Sequence, residues 1–166
     1  MRSGDSVRRG LIVLAVFAVL AAAWSGWSWW SASRDDAVLR AEDRDAVLTA
    51  ATDGLVVLNT IDYRSAARDV DRWLAVTTGQ LGKDLGGDRK GQLDRAAASR
   101  TVATATMKQA AVTELNREAG SARLVAVLDL QVSTNGGPPA ANRSRLNVEL
   151  NRTEQGWKVS GVQAAA

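Results

Sequence analysis

Residues 122–133 read ARLVAVLDLQVS, with Leu124, Ala126, Leu128, Leu130 and Val132 on one parity and Arg123, Asp129 and Gln131 on the other. Period-two alternation of this length marks a strand with one face in a core and one in water. The neighbouring segments continue the pattern. Thr101 to about Asn116 alternates Thr, Val and Ala and reads as the strand before it. Asn135-Gly136-Gly137-Pro138-Pro139 cannot be regular structure, so it forms a hairpin loop leading into a strand over Arg143 to Asn151. Glu154-Gln155-Gly156 makes a last turn, and Trp157 to Gln163 a last strand with Trp157 and Val159 on one face. The expected sheet is a four-stranded antiparallel meander.

Upstream of the strands the spacing turns helical. Leu48, Ala51, Leu55 and Leu58, widened by Val47, Val57 and Ile61, form an apolar stripe within Asp35 to about Thr60, a stretch with the lone Gly54 and no proline. A bend at Asn59-Thr60-Ile61-Asp62 precedes a second helix, capped by Ser65 or Asp62 and running to about Val76, with Val70, Trp73 and Leu74 inward. Thr77-Thr78-Gly79 reads as a break with Thr78 as N-cap. A short helix through Leu81 and Leu85 to Gly86-Gly87 follows, and Asp88 to about Arg100 is helical again. Helices first and strands after give an α+β domain in which a bent sheet wraps one long helix.

The first thirty residues differ in kind. Arg2, Arg8 and Arg9 precede Leu11–Trp30, a run without a charged residue. At about 1.5 Å per residue such a run matches the roughly 30 Å of a bilayer's hydrocarbon core. The basic flank puts the N-terminus inside, and Trp24, Trp27, Trp29 and Trp30 form an interfacial belt at the outer end. A cleaved signal peptide is the rival reading, since Ala21-Ala22-Ala23 and Ser31-Ala32-Ser33 offer small-residue cleavage sites. The length of the run and its aromatic end favour an uncleaved anchor. The expected organisation is therefore a cytoplasmic tail (1–10), a transmembrane helix (11–30), a juxtamembrane segment with the first domain helix (31–60), and the rest of the domain (61–166). The domain is placed on the outer face of the cytoplasmic membrane, and the anchor contacts membrane lipids.

Composition narrows function. After residue 30 there are 18 Lys plus Arg against 17 Asp plus Glu, a balance that does not indicate nucleic-acid binding. Neither cysteine nor histidine is present, which removes disulfides, thiol nucleophiles and the commonest base and metal ligand. No cofactor, metal or catalytic residue is expected. Asp69 and Asp71, two apart on a helix, diverge and make a poor metal pair, and they read as solvated or helix N-terminal acids. Gly82-Lys83-Asp84 lacks the pattern of a phosphate loop. Tyr63, the single tyrosine, reads as a hydrogen-bonded structural phenol, and Trp73 and Trp157 as core anchors. Asp129 interrupts an apolar strand. It faces solvent or a helix-borne arginine, or, if its face lines a cavity, becomes a desolvated ligand contact with a raised pKa.

Asp62-Tyr63-Arg64 with Asp69-Val70-Asp71-Arg72, then Thr77-Thr78-Gly79-Gln80-Leu81, then Gly156-Trp157-Lys158-Val159-Ser160-Gly161-Val162, give the chain a resemblance to the Mce-associated (mammalian cell entry) membrane proteins. The resemblance implies a cone like that of nuclear transport factor two, about three helices packed on the sheet, with Tyr63, Trp73, Thr78, Gly79 and Trp157 as its structural motif. It implies no catalysis, and a role as accessory subunit of a lipid or sterol transport complex, with Mce subunits and a permease as partners. Gly82 to Asp88 departs from the aromatic helix end usual in that family. Two alternatives stay open: a type IV secretion or conjugation scaffold of the same topology, and an isomerase-like cone using buried acids and a tyrosine.

Overall fold

The computed structural model describes the backbone from residue 3 to residue 165, and the side chains of residues 22–27 and 37–165. The chain divides into two compact units, Met1–Glu42 and Asp43–Ala166. Helix α1 (Ser3–Leu58) supplies residues to both.

In the first unit the backbone is helical from Ser3, and Trp24 and Trp27 are exposed. The anchor expected over Leu11–Trp30 lies largely outside the residues with described side chains, as do Trp29 and Trp30. Among the described residues no helix is long and apolar enough to cross a membrane.

The second unit is an α+β layer. Part of α1 lies in the hollow of a sheet ordered β1-β2-β3-β4-β5, all neighbours antiparallel, formed by β1 (Ile61–Asp62), β2 (Val102–Asn116), β3 (Ser121–Ser133), β4 (Ala140–Thr153) and β5 (Gly156–Ala164). Between β1 and β2 run α2 (Ala66–Val76), α3 (Gly79–Gly87) and α4 (Arg89–Ser99). The sheet has five strands rather than the expected four, while α1 to α4 cover the four helical segments read from the sequence. The extra strand is two residues long, too short to show any periodicity. It exists because Ile61 and Asp62 pair with Ala103 and Val102, some forty positions away.

Alternation places the core where the sequence put it. Ala122, Leu124, Ala126 and Leu128 of β3, Leu146, Val148 and Leu150 of β4, and Trp157 and Val159 of β5 pack as one buried cluster against Val47, Ala51 and Leu55 of α1. Those three are four apart and fully buried, whereas Leu48 and Leu58 of the expected stripe are half-buried. Burying a Leu or Val side chain contributes about 1.5–3 kcal/mol, so this face-to-face contact is the main stabilising term of the unit.

Gly54 sets how closely α1 approaches β5. A Cβ there would stand 3.0 Å from Val159 Cγ2 and 3.9 Å from Val76 Cβ. Valine is stiff at χ1 and cannot swing away cheaply. Gly54→Val should therefore lower stability by about 1–3 kcal/mol through overpacking, read as a fall in Tm of the full chain. Adding Val159→Ala should make the pair less damaging than the sum of the two single changes.

Candidate interaction surface

The motif residues build a seam that joins the helices to the sheet. At the C-terminus of α1 the last carbonyls lack helical partners. Trp73, buried on α2, donates its indole N–H to Val57 O (2.8 Å) and Thr60 O (3.1 Å). The Asn59 amide and Thr60 hydroxyl donate to Leu55 O (2.8 Å) and Val56 O (2.7 Å). Trp73 is thus a core anchor that also caps a neighbouring helix.

The break after α2 is held by β5. Thr77 is buried, bridges Val159 in parallel fashion, and donates its hydroxyl to Trp73 O at 2.9 Å. Thr78 occupies the N-cap position of α3 but makes no side-chain cap bond. Its backbone N–H donates instead to Val159 O at 2.8 Å. Gly79 sits at φ +61°, a left-handed conformation that favours glycine, and this accounts for the Thr-Gly pair. Trp157 is buried beside these contacts, with the Arg152 guanidinium 5.9 Å from its ring centroid.

Asp69 lies in the first turn of α2, as expected of a helix N-terminal acid, but it is not solvated. It is 2% exposed. It accepts the Asp62 backbone N–H (2.8 Å) and the Ser65 hydroxyl (3.2 Å), and pairs with Arg72 one turn along the helix. Ser65 stands at the N-cap of α2, yet its hydroxyl serves this carboxylate rather than the helix backbone. Burial pushes the Asp69 carboxyl up, but the Asp62 N–H, Arg72 and Ser65 together outweigh it and hold it below the usual aspartate value. The signal available in the sequence was Asp69 with Arg72 at i, i+3. That spacing is common on solvated faces and gave no hint of burial.

Around this carboxylate the surface opens. Tyr63, Arg64, Ala67 and Arg68 face Leu93 and Ala97 of α4 across a groove of about 540 Å³. Tyr63 was expected to be a hydrogen-bonded phenol. Its side chain is instead exposed and its hydroxyl has no hydrogen bond among the described residues, while its backbone N–H donates to Thr101 O at 3.0 Å. Arg64 lies 5.7 Å from the Tyr63 ring centroid and forms a salt bridge to Asp62 at 2.6 Å. An exposed tyrosine among arginines over a part-apolar floor is the composition that dominates binding energy at protein interfaces.

Asp129 lies on the outer face of the sheet, away from α1. Arg143 on β4 binds it at 2.8 Å and 3.3 Å, and Lys108 on β2 stands 3.5 Å away. The arginine is borne by a strand rather than a helix. Arg143 holds the Asp129 carboxyl below its usual range, the reverse of a desolvated acid inside a cone. A second cross-strand ladder, Glu114–Arg123–Glu149, crosses the same face at 3.1 and 3.3 Å. Asp62 and Asp71 are likewise lowered, by Arg64 and Arg89 respectively. A general acid at neutral pH needs the opposite shift. Among the described residues no group of three or more His, Cys, Asp or Glu could hold a metal.

A family described as uncharacterized protein Rv1363c/MT1408-like matches residues 7–165. The chain belongs to that family. The match does not confirm the resemblance to Mce-associated proteins. No curated protein matches the sequence. Among solved structures the domain is similar to an IcmL-like type IV secretion system protein from Legionella pneumophila, at 9% identity and TM-score 0.57, covering 70% of this chain and 88% of that one. It is similar to CagV, a VirB8 homologue from Helicobacter pylori, at 11% identity and TM-score 0.56, covering 72% and 95%. A putative aromatic ring hydroxylase from Novosphingobium aromaticivorans aligns at 19% identity and TM-score 0.52, covering 75% and 94%. At such identities the likeness is one of fold.

The buried Asp69 makes stability pH-dependent. Its folded pKa lies below its unfolded one, so its contribution is present above the usual aspartate value of 3.8 and is lost as pH falls through the lower folded value. Asp69→Asn should cost about 1–3 kcal/mol at pH 7. It should also flatten the acid limb of the stability curve below pH 3.8, measured by denaturant titration at successive pH values.

Proposed function

We propose that the chain is a non-catalytic assembly subunit, anchored by its N-terminal helix in the cytoplasmic membrane with the tail inside and the α+β domain outside. The observation that carries this reading is the contrast between interior and surface. The hollow of the sheet is filled by Val47, Ala51, Leu55 and the strand side chains they meet. The aromatic and cationic side chains suited to recognition, Tyr63, Arg64 and Arg68, stand outside on the β1–α2–α4 groove. A domain arranged this way docks proteins on its surface rather than substrates in its core.

The fold neighbours favour a scaffold of the type IV secretion kind, since an IcmL-like secretion protein and the VirB8 homologue CagV share the cone at most of their length. The second reading, an accessory subunit of an Mce-type lipid transporter with its Mce subunits and permease as partners, rests on the Asp62-Tyr63-Arg64, Thr77-Thr78-Gly79 and Gly156-Trp157 motifs. Both assign the same physical role, in which the anchor restricts the domain to the membrane surface and the groove engages a neighbouring subunit.

Affinity purification of the full chain from gently solubilised membranes, followed by mass spectrometry, tests this. Secretion ATPases or pilus components among the partners support the scaffold, and Mce proteins with a permease support the transporter subunit. Tyr63→Ala with Arg68→Glu should reduce recovery of the partner by about tenfold or more, a loss of about 1.4 kcal/mol. Both side chains are exposed, so Tm should stay within the small range of surface substitutions. Absence of any specific partner from the intact chain would overturn the assembly role.

A further inference from the structure

The two edges of the sheet differ. Along β5, the Thr78 N–H donates to Val159 O at 2.8 Å and Thr77 bridges Val159. Along β2, β1 pairs only with Val102 and Ala103. From Thr104 to Asn116, the side of β2 away from β3 therefore has no backbone partner among the described residues. An open edge of this length is a template for strand addition. The usual protections are sparse: β2 contains no proline, and its charged residues are Lys108 and Glu114. Register shifts lie at Met107/Gln109 and Val112/Glu114, leaving Gln109–Val112 regular between them.

We propose that this edge pairs with the same edge of a second copy, antiparallel about a two-fold axis at Ala111. A symmetric antiparallel pair sets one residue opposite itself and fixes every other partner. With Ala111 at the axis, Lys108 meets the second copy's Glu114 on the outer face, and Gln109 meets Thr113. On the inner face Met107 meets Leu115 and Ala110 meets Val112, all four half-buried against the core. Each bulge lies within one position of the partner strand's other bulge, so the extra residues cancel and the register closes. Moving the axis to Ala110 sets Lys108 against Val112 and Glu114 against Thr106. Moving it to Val112 sets Lys108 against Asn116 and Glu114 against Ala110. Within one chain Lys108 and Glu114 serve different partners, Asp129 and Arg123, and both side chains remain half-exposed or more. Opposite charges directly across a strand pair are stabilising, and like charges there are destabilising.

The chain contains no cysteine, so Ala111→Cys introduces a single thiol at the axis. Facing Cβ atoms of an antiparallel pair lie about 4.5–5.5 Å apart, near the span of a disulfide. Mild oxidation of the full-length A111C protein in membranes should give a disulfide-linked homodimer. V125C, exposed on β3 but away from the edge, should not. The dimer should be lost on adding K108E alone or E114K alone, with fold checked by circular dichroism and Tm, and regained when both are present. A111C dimer yield no greater than that of V125C would overturn the proposal. So would failure of the double charge exchange to restore a dimer in a folded protein, or capture of a different protein by A111C in place of a second copy.

Discussion

The contact between Gly54 and Val159 governs the rest of the domain. It lets α1 settle into the hollow of the sheet, so that Val47, Ala51 and Leu55 reach the inner residues of β3, β4 and β5. Helix propensity alone argues against glycine within a helix, at about 1 kcal/mol relative to alanine. The close packing of helix on strand supplies the compensation, since a methyl group at this point would press on a stiff valine.

From that contact the constraint passes to the helices. Val159 is also the strand residue that receives Thr78 and bridges Thr77, so one position of β5 touches α1 on its face and the α2–α3 break along its edge. Thr77 returns to Trp73 O, and the Trp73 indole closes the end of α1. The Trp, Thr-Gly and closing Trp-Lys-Val motifs are therefore one connected structural device. Each satisfies backbone groups that burial would otherwise leave unpaired, at a cost of about 1–3 kcal/mol apiece.

Charge is distributed differently from apolar surface. The shifted carboxylates are tied to arginines and lowered, and the most deeply buried of them, Asp69, fastens β1 to α2. This arrangement organises loops and strand registers. It leaves the groove beside Tyr63 and the long edge of β2 as the surfaces with capacity to spare. Both suit association with other proteins, one through side chains and the other through backbone hydrogen bonds.

Alternation over Ala122–Ser133 and the four-residue spacing of Val47, Ala51 and Leu55 report local geometry, because a strand and a helix each impose their period on whatever side chains face a core. The α+β class, the four long strands and the helix break at Thr78-Gly79 were legible in the sequence for that reason. Strand β1, the burial of Asp69, the exposure of Tyr63 and the pairing of Asp129 with Arg143 were not. Each depends on a neighbour that the fold supplies: Ile61 with Ala103, Asp62 with Asp69 across a turn, Tyr63 beside Leu93, Asp129 directly opposite Arg143 on the adjacent strand. Period and propensity carry no record of such neighbours. The sequence by itself determined which faces turn inward, whereas tertiary structure decided which polar groups were paired, buried or left open, because desolvation and hydrogen bonding depend on what the fold places opposite them.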